Sequence, residues 1–225
     1  MTTTGSTLSA LVLGATGLVG RHCLDLLLED EAYGQVVALA RKPPKREHPK
    51  LRWHVTDLAR VHEYGSLLGV DDVFCCLGTT IRAAGSRDSF YKVDFGHVVE
   101  VARATAESGA RQLLLVSALG ADAHSRVFYN RVKGEVERAV CELPFRGTQI
   151  FRPSLLLGQR QEFRLGERAA ALALVPLSFL LIGRARKYRP VPATAVAEAM
   201  VRVAKSVPPG VNVFESDRIV ALAAA

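Results

Sequence analysis

Short, continuously apolar runs alternate with longer segments of helical periodicity along almost the whole chain. The apolar runs predict strands at residues 8–13, 35–40, 51–55, 72–76, 112–117, 148–151 and 212–215. Apolar residues spaced three and four apart predict helices between them, at 18–28, 61–68, 95–108, 128–142 and 193–205. Uniformly apolar strands separated by helices are typical of a parallel sheet covered on both faces. The predicted fold class is therefore α/β, a Rossmann-like doubly wound parallel sheet.

Length and composition predict a single domain. The chain has 225 residues, of which 49% are hydrophobic, and this is enough for a large core within one α/β unit. Residues 1–7 are mostly small and polar and are expected to form a flexible N-terminus, so that residues 8–225 form the domain.

The chain is basic, with 29 Lys and Arg residues against 22 Asp and Glu residues and a net charge of +7. Such a charge could favour binding to nucleic acid or to a membrane surface, but the binding of an anionic cofactor is a sufficient explanation for it. The basic residues are spread along the chain without interleaved aromatic residues or a recognisable binding module. No nucleic-acid partner is therefore expected.

The four cysteines indicate neither a metal site nor a disulfide framework. Cys23, Cys75, Cys76 and Cys141 lack metal-ligand spacing, and the side chains of the adjacent pair point to opposite faces of a strand. They are expected to be small core residues rather than nucleophiles. Reduced thiols, together with the absence of a charged-then-apolar signal in residues 1–7, predict a cytoplasmic location.

One apolar segment, residues 169–182, could be mistaken for a membrane anchor. It is too short to cross a bilayer, and Pro176 interrupts it. A buried helix or an interface with a second copy of the chain is favoured over an anchor on a membrane surface. The chain is accordingly expected to be a monomer or a homodimer with no membrane span.

The first predicted strand runs into a glycine-rich turn, GATGLVG, which opens the first predicted helix. Gly14 permits a tight turn, Gly17 lets the backbone approach a phosphate, and Gly20 lets the helix pack close to the strand. The helix N-terminus then offers free N–H groups and its dipole to a dinucleotide pyrophosphate. A turn of purely structural origin is the alternative. The same turn contributes the further candidate cofactor-binding residues Thr16, Leu18 and Val19.

Basic residues follow the second predicted strand, where this fold places the adenosine ribose. A carboxylate at this strand end would bind the 2′-hydroxyl of NAD, whereas an arginine accommodates the 2′-phosphate of NADP. The chain has Arg41 and Lys42 here and no Asp or Glu. These residues predict NADP(H) as the cofactor in preference to NAD(H), with a solvated basic loop as the alternative.

The third and fourth predicted strands are followed by further candidate cofactor contacts. Asp57 and Leu58 are placed to touch the adenine ring, although Asp57 could instead cap the next helix. A second glycine turn follows, in which Gly78 would let the backbone approach the ribose and Thr79 could hydrogen-bond to it. The same turn contributes the candidates Cys76 and Leu77.

The candidate catalytic residues follow the fifth predicted strand. Ser117 ends that strand, and Tyr129 and Lys133 lie four residues apart on the next helix, so that these two side chains share one face. A nearby cation lowers the pKa of a phenol from about 10 and lets it exchange a proton with a carbonyl or an alcohol. Lys133 can also hold the nicotinamide ribose, Tyr129 is a further candidate contact to the cofactor, and Ser117 can hydrogen-bond to the substrate oxygen. These three are the predicted catalytic residues.

Taken together, these motifs resemble the short-chain dehydrogenase/reductase superfamily over nearly the full chain. The resemblance rests on GATGLVG, Asp57-Leu58, Ser117, Tyr129-x-x-x-Lys133 and Arg152-Pro153. The sequences CCLGTT, VKGEVE and FRPSLLLGQRQE are similar to the atypical branch that includes the human Tat-interacting oxidoreductase and its bacterial relatives.

The resemblance implies an NADP(H)-binding domain over residues 8–225, with substrate-side segments around residues 79–95 and 155–192. It implies that the three predicted catalytic residues occupy the family's catalytic positions. It also implies that Pro153 and Ser154 lie beside the nicotinamide.

The leading hypothesis is an NADP(H)-dependent oxidoreductase that acts on an unidentified carbonyl or alcohol substrate, with Tyr129 as the general acid/base. The alternative is an NADP(H)-binding regulatory or redox-sensing protein that has no significant turnover and presents a surface to a protein partner. The intact set of Ser, Tyr and Lys favours the enzyme. The chain departs from the family pattern at Asp94, where many relatives carry a catalytic Asn.

Overall fold

The computed structural model describes residues 7–44, 47–56, 58–158 and 181–225. Its strands are β1 (Leu8–Leu13), β2 (Tyr33–Ala40), β3 (Leu51–Val55), β4 (Asp72–Cys75), β5 (Gln112–Val116), β6 (Gly147–Arg152), β7 (Leu156–Leu157), β8 (Val191–Pro192) and β9 (Gly210–Glu215). Its α-helices are α1 (Gly20–Glu29), α2 (Ile81–Ala84), α3 (Arg87–Tyr91), α4 (Val98–Glu107), α5 (Phe128–Cys141), α6 (Ala193–Ser206) and α7 (Ser216–Ala224). The described residues also include two 3₁₀ segments, Leu58–Leu67 and Gly183–Tyr188, and the π-helical segment Lys92–His97.

Seven of the described strands form one parallel sheet in the order β3-β2-β1-β4-β5-β6-β9. At the carboxyl end of β1, Leu13 lies between Leu39 of β2 and Cys75 of β4. The order of the strands reverses at β1, so a crevice opens between the carboxyl ends of β1 and β4. The Rossmann-like doubly wound fold class is confirmed.

Alternating residues of the strands supply two separate cores. Ala10 and Val12 of β1 face a cluster built with α1 and α6, whereas Leu11 and Leu13 face a cluster built with α4 and α5. These four side chains are almost completely buried. Helices therefore cover both faces of the sheet, as the uniformly apolar strands predict.

The region before α4 differs from the sequence prediction. The short helices α2 and α3 form where the apolar pattern predicts none, and each begins at a hydroxyl cap. Thr80 and Ser86 each accept from a backbone N–H three residues later, at 3.1 Å and 3.0 Å. The helix predicted at 95–108 begins earlier, as the π-helical segment Lys92–His97 that continues into α4.

No helix in the part of the chain that the structure describes is long and apolar enough to cross a membrane. The apolar segment predicted at 169–182 lies outside the described residues up to position 180, so its packing stays a prediction. Among the residues with described positions, no three His, Cys, Asp or Glu side chains group as a metal site requires. The four cysteines are free thiols.

A buried polar network around Asp72 joins the amino ends of the central strands. The Tyr33 hydroxyl donates to this carboxylate at 2.6 Å, Arg111 donates through Nε at 2.9 Å, and Gln112 donates at 2.9 Å. Gln112 also donates to the Ala204 carbonyl at 2.8 Å, which ties α6 to the network. Burial and the charge of Asp72 raise the pKa of Tyr33 well above its usual value. The network lies at the amino ends of the strands, whereas the crevice lies at their carboxyl ends.

We expect Asp72→Ala to lower the free energy of unfolding by about 3 kcal/mol, because it leaves the Tyr33 hydroxyl and the Arg111 guanidinium without their acceptor. Asp72 is fully buried, but the Arg111 side chain is 30% exposed, so water offsets part of the loss. Urea unfolding measures the change. Glu198→Ala, on the exposed face of α6, is the control and should change stability by no more than about 0.5 kcal/mol. A loss no larger than that of the control would contradict the role given to the network.

Candidate active site at the carboxyl ends of the strands

The glycine turn between β1 and α1 requires glycine at two positions. Gly14 has a φ of +75°, and a β-carbon there would lie 2.5 Å from the Cys76 carbonyl oxygen. A β-carbon on Gly20 would lie 2.2 Å from the Gly14 carbonyl oxygen. The Gly17 N–H donates to that same oxygen at 2.8 Å, which closes the turn. Side chains at these two positions would push β1, the loop after β4 and α1 apart.

The turn leaves the N-terminus of α1 open to an anionic ligand. Helix α1 begins at Gly20, and within the described turn no side chain caps it and its first turn holds no acidic residue. Thr16 and Gly17 are exposed, Leu18 is half-buried and Val19 is buried. The N–H groups of Arg21, His22 and Cys23 donate to backbone carbonyls of the turn. What the start of the helix offers to a phosphate beside the crevice is therefore chiefly its dipole.

Arg41 and Lys42 follow β2 directly, and both are exposed. The Lys42 carbonyl accepts from the indole N–H of Trp53 at 2.9 Å, which fastens this loop to β3. Because β2 pairs with β1, the two basic residues lie at the strand end where the adenosine ribose is expected. Asp57 lies outside the described residues. Leu58 is buried in the core cluster on the α4 side of the sheet, and its expected contact with adenine stays a prediction.

The loop after β4 runs from Cys76 to Thr79 beside the glycine turn. The Cys76 N–H donates to the last residue of β1 at 3.0 Å. Its Sγ lies 3.9 Å from Cys23 Sγ in α1, and this contact, together with burial, raises the pKa of the Cys76 thiol. Leu77 packs partly buried against the core, whereas Gly78 is exposed. The loop therefore presents open backbone at Gly78 while its cysteine packs inward.

Tyr129 and Lys133 lie one helical turn apart at the start of α5. Lys133 is 6% exposed, and its Nζ lies 2.7 Å from Oδ1 of the fully buried Asp94. Burial alone would lower the pKa of Lys133, but the charge of Asp94, together with Tyr129, outweighs burial and raises that pKa. Tyr129 is half-buried, and its ring centroid lies 5.7 Å from that of Phe90 in α3. The phenol is therefore within electrostatic range of an ammonium that stays charged.

Ser117 is held by β6 and by Glu137, and the expected convergence of the three catalytic candidates stays a prediction. Its backbone N–H donates to a β6 carbonyl at 2.7 Å, and its hydroxyl donates to Glu137 Oε1 at 2.5 Å. Glu137, which also forms an ion pair with Arg152, lies two helical turns after Tyr129, about 12 Å along the axis of α5. The pairing of β5 with β6 thus holds the Ser117 side chain against the middle of the helix.

Glu137 is a buried residue next to the candidate site, and it was not among the residues predicted from the sequence. It lies on the buried face of α5, whose other residues include Val132, Val136 and Val140. A carboxylate within an apolar stripe is a signal of a buried partner, because charged side chains are rarely buried unless they are paired. The sequence pattern of α5 therefore contained this signal, although it could not identify Arg152 as the partner.

Pro153 and Ser154 follow β6 at the same edge of the sheet. Pro153 is buried, and its carbonyl accepts from the Leu119 N–H at 2.9 Å. The Ser154 hydroxyl donates to the Arg189 carbonyl at 2.5 Å, and the Ser154 N–H donates to Ser216 Oγ at 2.9 Å. These contacts fasten the chain after β6 to α7 and to the residues before β8. The expected contact of both residues with nicotinamide stays a prediction.

The two expected substrate-side segments are described to different extents. Residues 79–95 form α2, α3 and the first part of the π-helical segment. Of residues 155–192, the structure describes 155–158 and 181–192, which contribute the short parallel pair of β7 and β8. Substrate binding by these segments stays a prediction.

Known proteins resemble this chain in sequence and in fold. A family model described as NAD(P)H-binding matches residues 14–142, which include the glycine turn, Tyr129 and Lys133. The chain is 37% identical over 210 residues to the mitochondrial protein fmp52 of Aspergillus fumigatus, over 88% of this chain and 90% of that protein. It is 37% identical over 163 residues to the protein HTATIP2 of Rattus norvegicus, over 71% of this chain and 67% of that protein. The crystal structure of the Bordetella bronchiseptica enzyme WbmH in complex with NAD+ has a TM-score of 0.70 at 16% identity, over 93% of this chain and 76% of that one.

The names of these relatives correct one expectation from the sequence. The similar FMP52 proteins are named mitochondrial, so the predicted cytoplasmic location is wrong. That prediction relied on reduced cysteines and on the lack of a secretory signal in residues 1–7, and neither feature distinguishes one reducing compartment from another.

We expect Gly20→Ala to weaken NADPH binding about tenfold or more and to lower the free energy of unfolding by about 1–3 kcal/mol. The reason is that the added β-carbon meets a backbone oxygen rather than a flexible side chain. NADPH fluorescence titration and urea unfolding measure the two effects. Gly65→Ala is the matched control, since a β-carbon there has no neighbour within 4 Å. Unchanged NADPH affinity in Gly20→Ala would argue against a cofactor on this turn.

Proposed function

We propose that this chain, which belongs to an NAD(P)H-binding family of the short-chain dehydrogenase/reductase type, is an NADP(H)-dependent oxidoreductase of a carbonyl or alcohol substrate. The observation that carries the proposal is the placement of Tyr129 beside the buried ammonium of Lys133, at the edge of the sheet that bears the glycine turn. A phenol beside a cation suits the proton transfer that accompanies hydride transfer.

In the proposed reaction, Tyr129 donates its phenolic proton to the carbonyl oxygen as the carbonyl carbon receives a hydride. In the reverse direction, the Tyr129 phenolate takes the proton from the alcohol. The dinucleotide, when bound, supplies or accepts the hydride. Lys133 stabilises the phenolate form by its charge. Ser117 has no step in this mechanism, because its hydroxyl is engaged by Glu137.

The residues at the strand ends fit a dinucleotide that carries a 2′-phosphate. The glycine turn and the start of α1 suit a pyrophosphate, because the helix dipole favours negative charge there, the first turn holds no acidic residue, and the glycines carry no β-carbons. Arg41 and Lys42 would hold the 2′-phosphate through charge-assisted hydrogen bonds. Gly78 and Lys133, which lie close together, would hold the ribose on the nicotinamide side.

One observation favours a second function, that of an NADP(H)-binding regulatory or redox-sensing protein. The Ser117 hydroxyl is engaged by Glu137 and the Lys133 ammonium by Asp94, so two of the three expected catalytic groups have partners within the protein. A sensor needs a cofactor site but no group that orients a substrate oxygen. In this function the protein binds a protein partner and does not turn over a carbonyl substrate.

We expect Tyr129→Phe to lower kcat about 100-fold or more while NADPH affinity stays within about twofold, because the phenol acts on the proton and not on the cofactor. NADPH absorbance with a panel of aldehydes and ketones measures turnover. Tyr64→Phe is the control, since this tyrosine lies in the 3₁₀ segment after β3. Wild-type turnover in Tyr129→Phe would contradict the mechanism. NADPH binding by the wild type without turnover of any compound would favour the regulatory function.

We expect the protein to bind NADPH roughly ten- to hundredfold more tightly than NADH, and Arg41→Ala to remove most of this preference. One charge-assisted hydrogen bond to the 2′-phosphate contributes about 1.5–3 kcal/mol, which corresponds to this ratio. The single tryptophan, Trp53, donates to the Lys42 carbonyl, so its fluorescence reports directly on this loop. Arg103→Ala, on an exposed position of α4, is the control. Equal affinities in the wild type, or an unchanged ratio in Arg41→Ala, would overturn the preference.

A further inference from the structure

Two thiols that have no step in the proposed reaction lie in contact beside the glycine turn. Cys23 lies in the first turn of α1, and Cys76 follows β4 directly. Their Sγ atoms are 3.9 Å apart, although the two residues are 53 positions apart along the chain. The two side chains therefore join the helix at the proposed pyrophosphate site to the loop that carries Gly78.

Packing and backbone contacts hold the two thiols in this position. Cys23 is fully buried, and its thiol donates to Met200 Sδ of α6 at 3.9 Å. The Cys76 N–H donates to the Leu13 carbonyl at 3.0 Å. The Cys76 carbonyl oxygen lies so close to the turn that a β-carbon on Gly14 would be 2.5 Å from it. The backbones of the glycine turn and of the loop after β4 are therefore already in close contact.

Cys76 is the thiol that a small oxidant can reach, and Cys23 is its partner. Cys76 is half-buried beside the crevice, whereas Cys23 is completely buried. Both side chains lie with the core cluster on the α1 side of the sheet, whereas Cys75 belongs to the cluster on the α4 side. The adjacent thiol of Cys75 therefore faces away, and a product of oxidation at Cys76 meets the sulfur of Cys23 first.

The surroundings of Cys76 favour the thiol over the thiolate. The contact with Cys23, together with burial, raises the pKa of Cys76. Because the thiolate is the nucleophile, reaction with an oxidant is slow at neutral pH and faster at higher pH. The surroundings also give the reduced pair no stabilised thiolate at Cys76, and a stabilised thiolate is what makes a disulfide easy to reduce. The pair is therefore slow to oxidise and, once oxidised, holds its disulfide.

We propose that Cys23 and Cys76 are a thiol-modification site, at which a peroxide forms a reversible disulfide that weakens dinucleotide binding at the glycine turn. In the first step the Cys76 thiolate attacks hydrogen peroxide, the O–O bond breaks, and Cys76 becomes a sulfenic acid as hydroxide leaves and takes up a proton. In the second step the Cys23 sulfur attacks the Cys76 sulfur, the S–S bond forms, and the sulfenic hydroxyl leaves with the Cys23 proton as water. Two thiols and one hydrogen peroxide thus give one disulfide and two waters, and an added dithiol reverses the reaction by exchange.

The disulfide changes the crevice because its sulfur atoms must come closer. An S–S bond is about 2.05 Å long, whereas the two sulfur atoms of the reduced pair are 3.9 Å apart. The close contact at Gly14 leaves no room for the glycine turn and the loop to approach each other there. The first turn of α1 must therefore tilt on the loop, and the dipole that would hold a pyrophosphate moves with it. The effect on the dinucleotide rests on the proposed function, whereas the disulfide is a property of the protein alone.

The chemical test is treatment of the reduced protein with hydrogen peroxide, followed by alkylation of the remaining thiols and mass spectrometry of its peptides. We expect one disulfide, between Cys23 and Cys76, which dithiothreitol removes. Its rate of formation should rise about tenfold from pH 7 to pH 8, because only the thiolate reacts. Cys23→Ala should form no disulfide. Cys141→Ala, which removes a half-buried thiol from α5, is the matched control and should form the disulfide as the wild type does.

The binding test is an NADPH fluorescence titration of the oxidised and the reduced protein. We expect the oxidised wild type to bind NADPH about tenfold more weakly, and dithiothreitol to restore the affinity. The double variant Cys23→Ala, Cys76→Ala, treated with peroxide in the same way, should keep its affinity within about twofold. This variant separates the effect of the disulfide from the oxidation of other residues, such as the two methionines.

Free Cys23 and Cys76 after peroxide treatment at pH 8, or a disulfide between another pair of cysteines, would overturn the inference. An oxidised wild type that carries the disulfide and keeps its NADPH affinity would overturn it as well. If the alanine variants do not fold, the oxidised and reduced forms of the wild type decide by the same two measurements. A reduced wild type that does not bind NADPH would refute the proposed function, whereas a Cys23–Cys76 disulfide in that protein would still support the modification site.

Discussion

The close approach of three backbone segments at Gly14 is the constraint on which the rest of the site depends. Strand β1, the loop after β4 and α1 meet so closely that a β-carbon at Gly14 or Gly20 would fall 2.5 Å or 2.2 Å from a backbone oxygen. This contact places the uncapped start of α1 beside the crevice, and it sets the loop that ends at Thr79. The Thr79 N–H holds Asp94, and Asp94 in turn holds Lys133. The position of the lysine proposed for catalysis thus follows, contact by contact, from the glycine turn.

The amino ends and the carboxyl ends of the strands differ in how their polar groups are hydrogen-bonded. At the amino ends, Asp72 accepts from Tyr33, Arg111 and Gln112, and these bonds tie strands and α6 together. At the carboxyl ends, the described turn supplies no side-chain cap for α1, and the backbone at Gly78 is exposed. Exposed backbone can bind a ligand, whereas the hydrogen bonds around Asp72 contribute to stability. The carboxyl ends therefore combine paired buried groups, such as Glu137 with Arg152, with exposed backbone beside the crevice.

One face of helix α5 carries the residues proposed for catalysis in its first turns and a residue that binds the sheet in a later turn. Tyr129, Lys133 and Glu137 recur at intervals of four residues, so they share this face, but each has a different partner. The first two contact α3 and the π-helical segment, whereas Glu137 binds Ser117 and the end of β6. The turn that holds Glu137 fastens the helix to the sheet and so fixes the turns that carry the proposed chemistry.

The sequence by itself determined the features that depend on local pattern. Apolar runs predicted the strands of the parallel sheet, GATGLVG predicted the turn before α1, and helical spacing put Tyr129 and Lys133 on one face. Tertiary structure decided the side-chain partners: the Ser117 hydroxyl went to Glu137, 20 residues along the chain, and the Lys133 ammonium went to Asp94. It also decided the short capped helices before α4. The reason is that helix and strand periodicities repeat over a few residues, whereas a buried charge takes the partner that the packing of distant elements brings within reach.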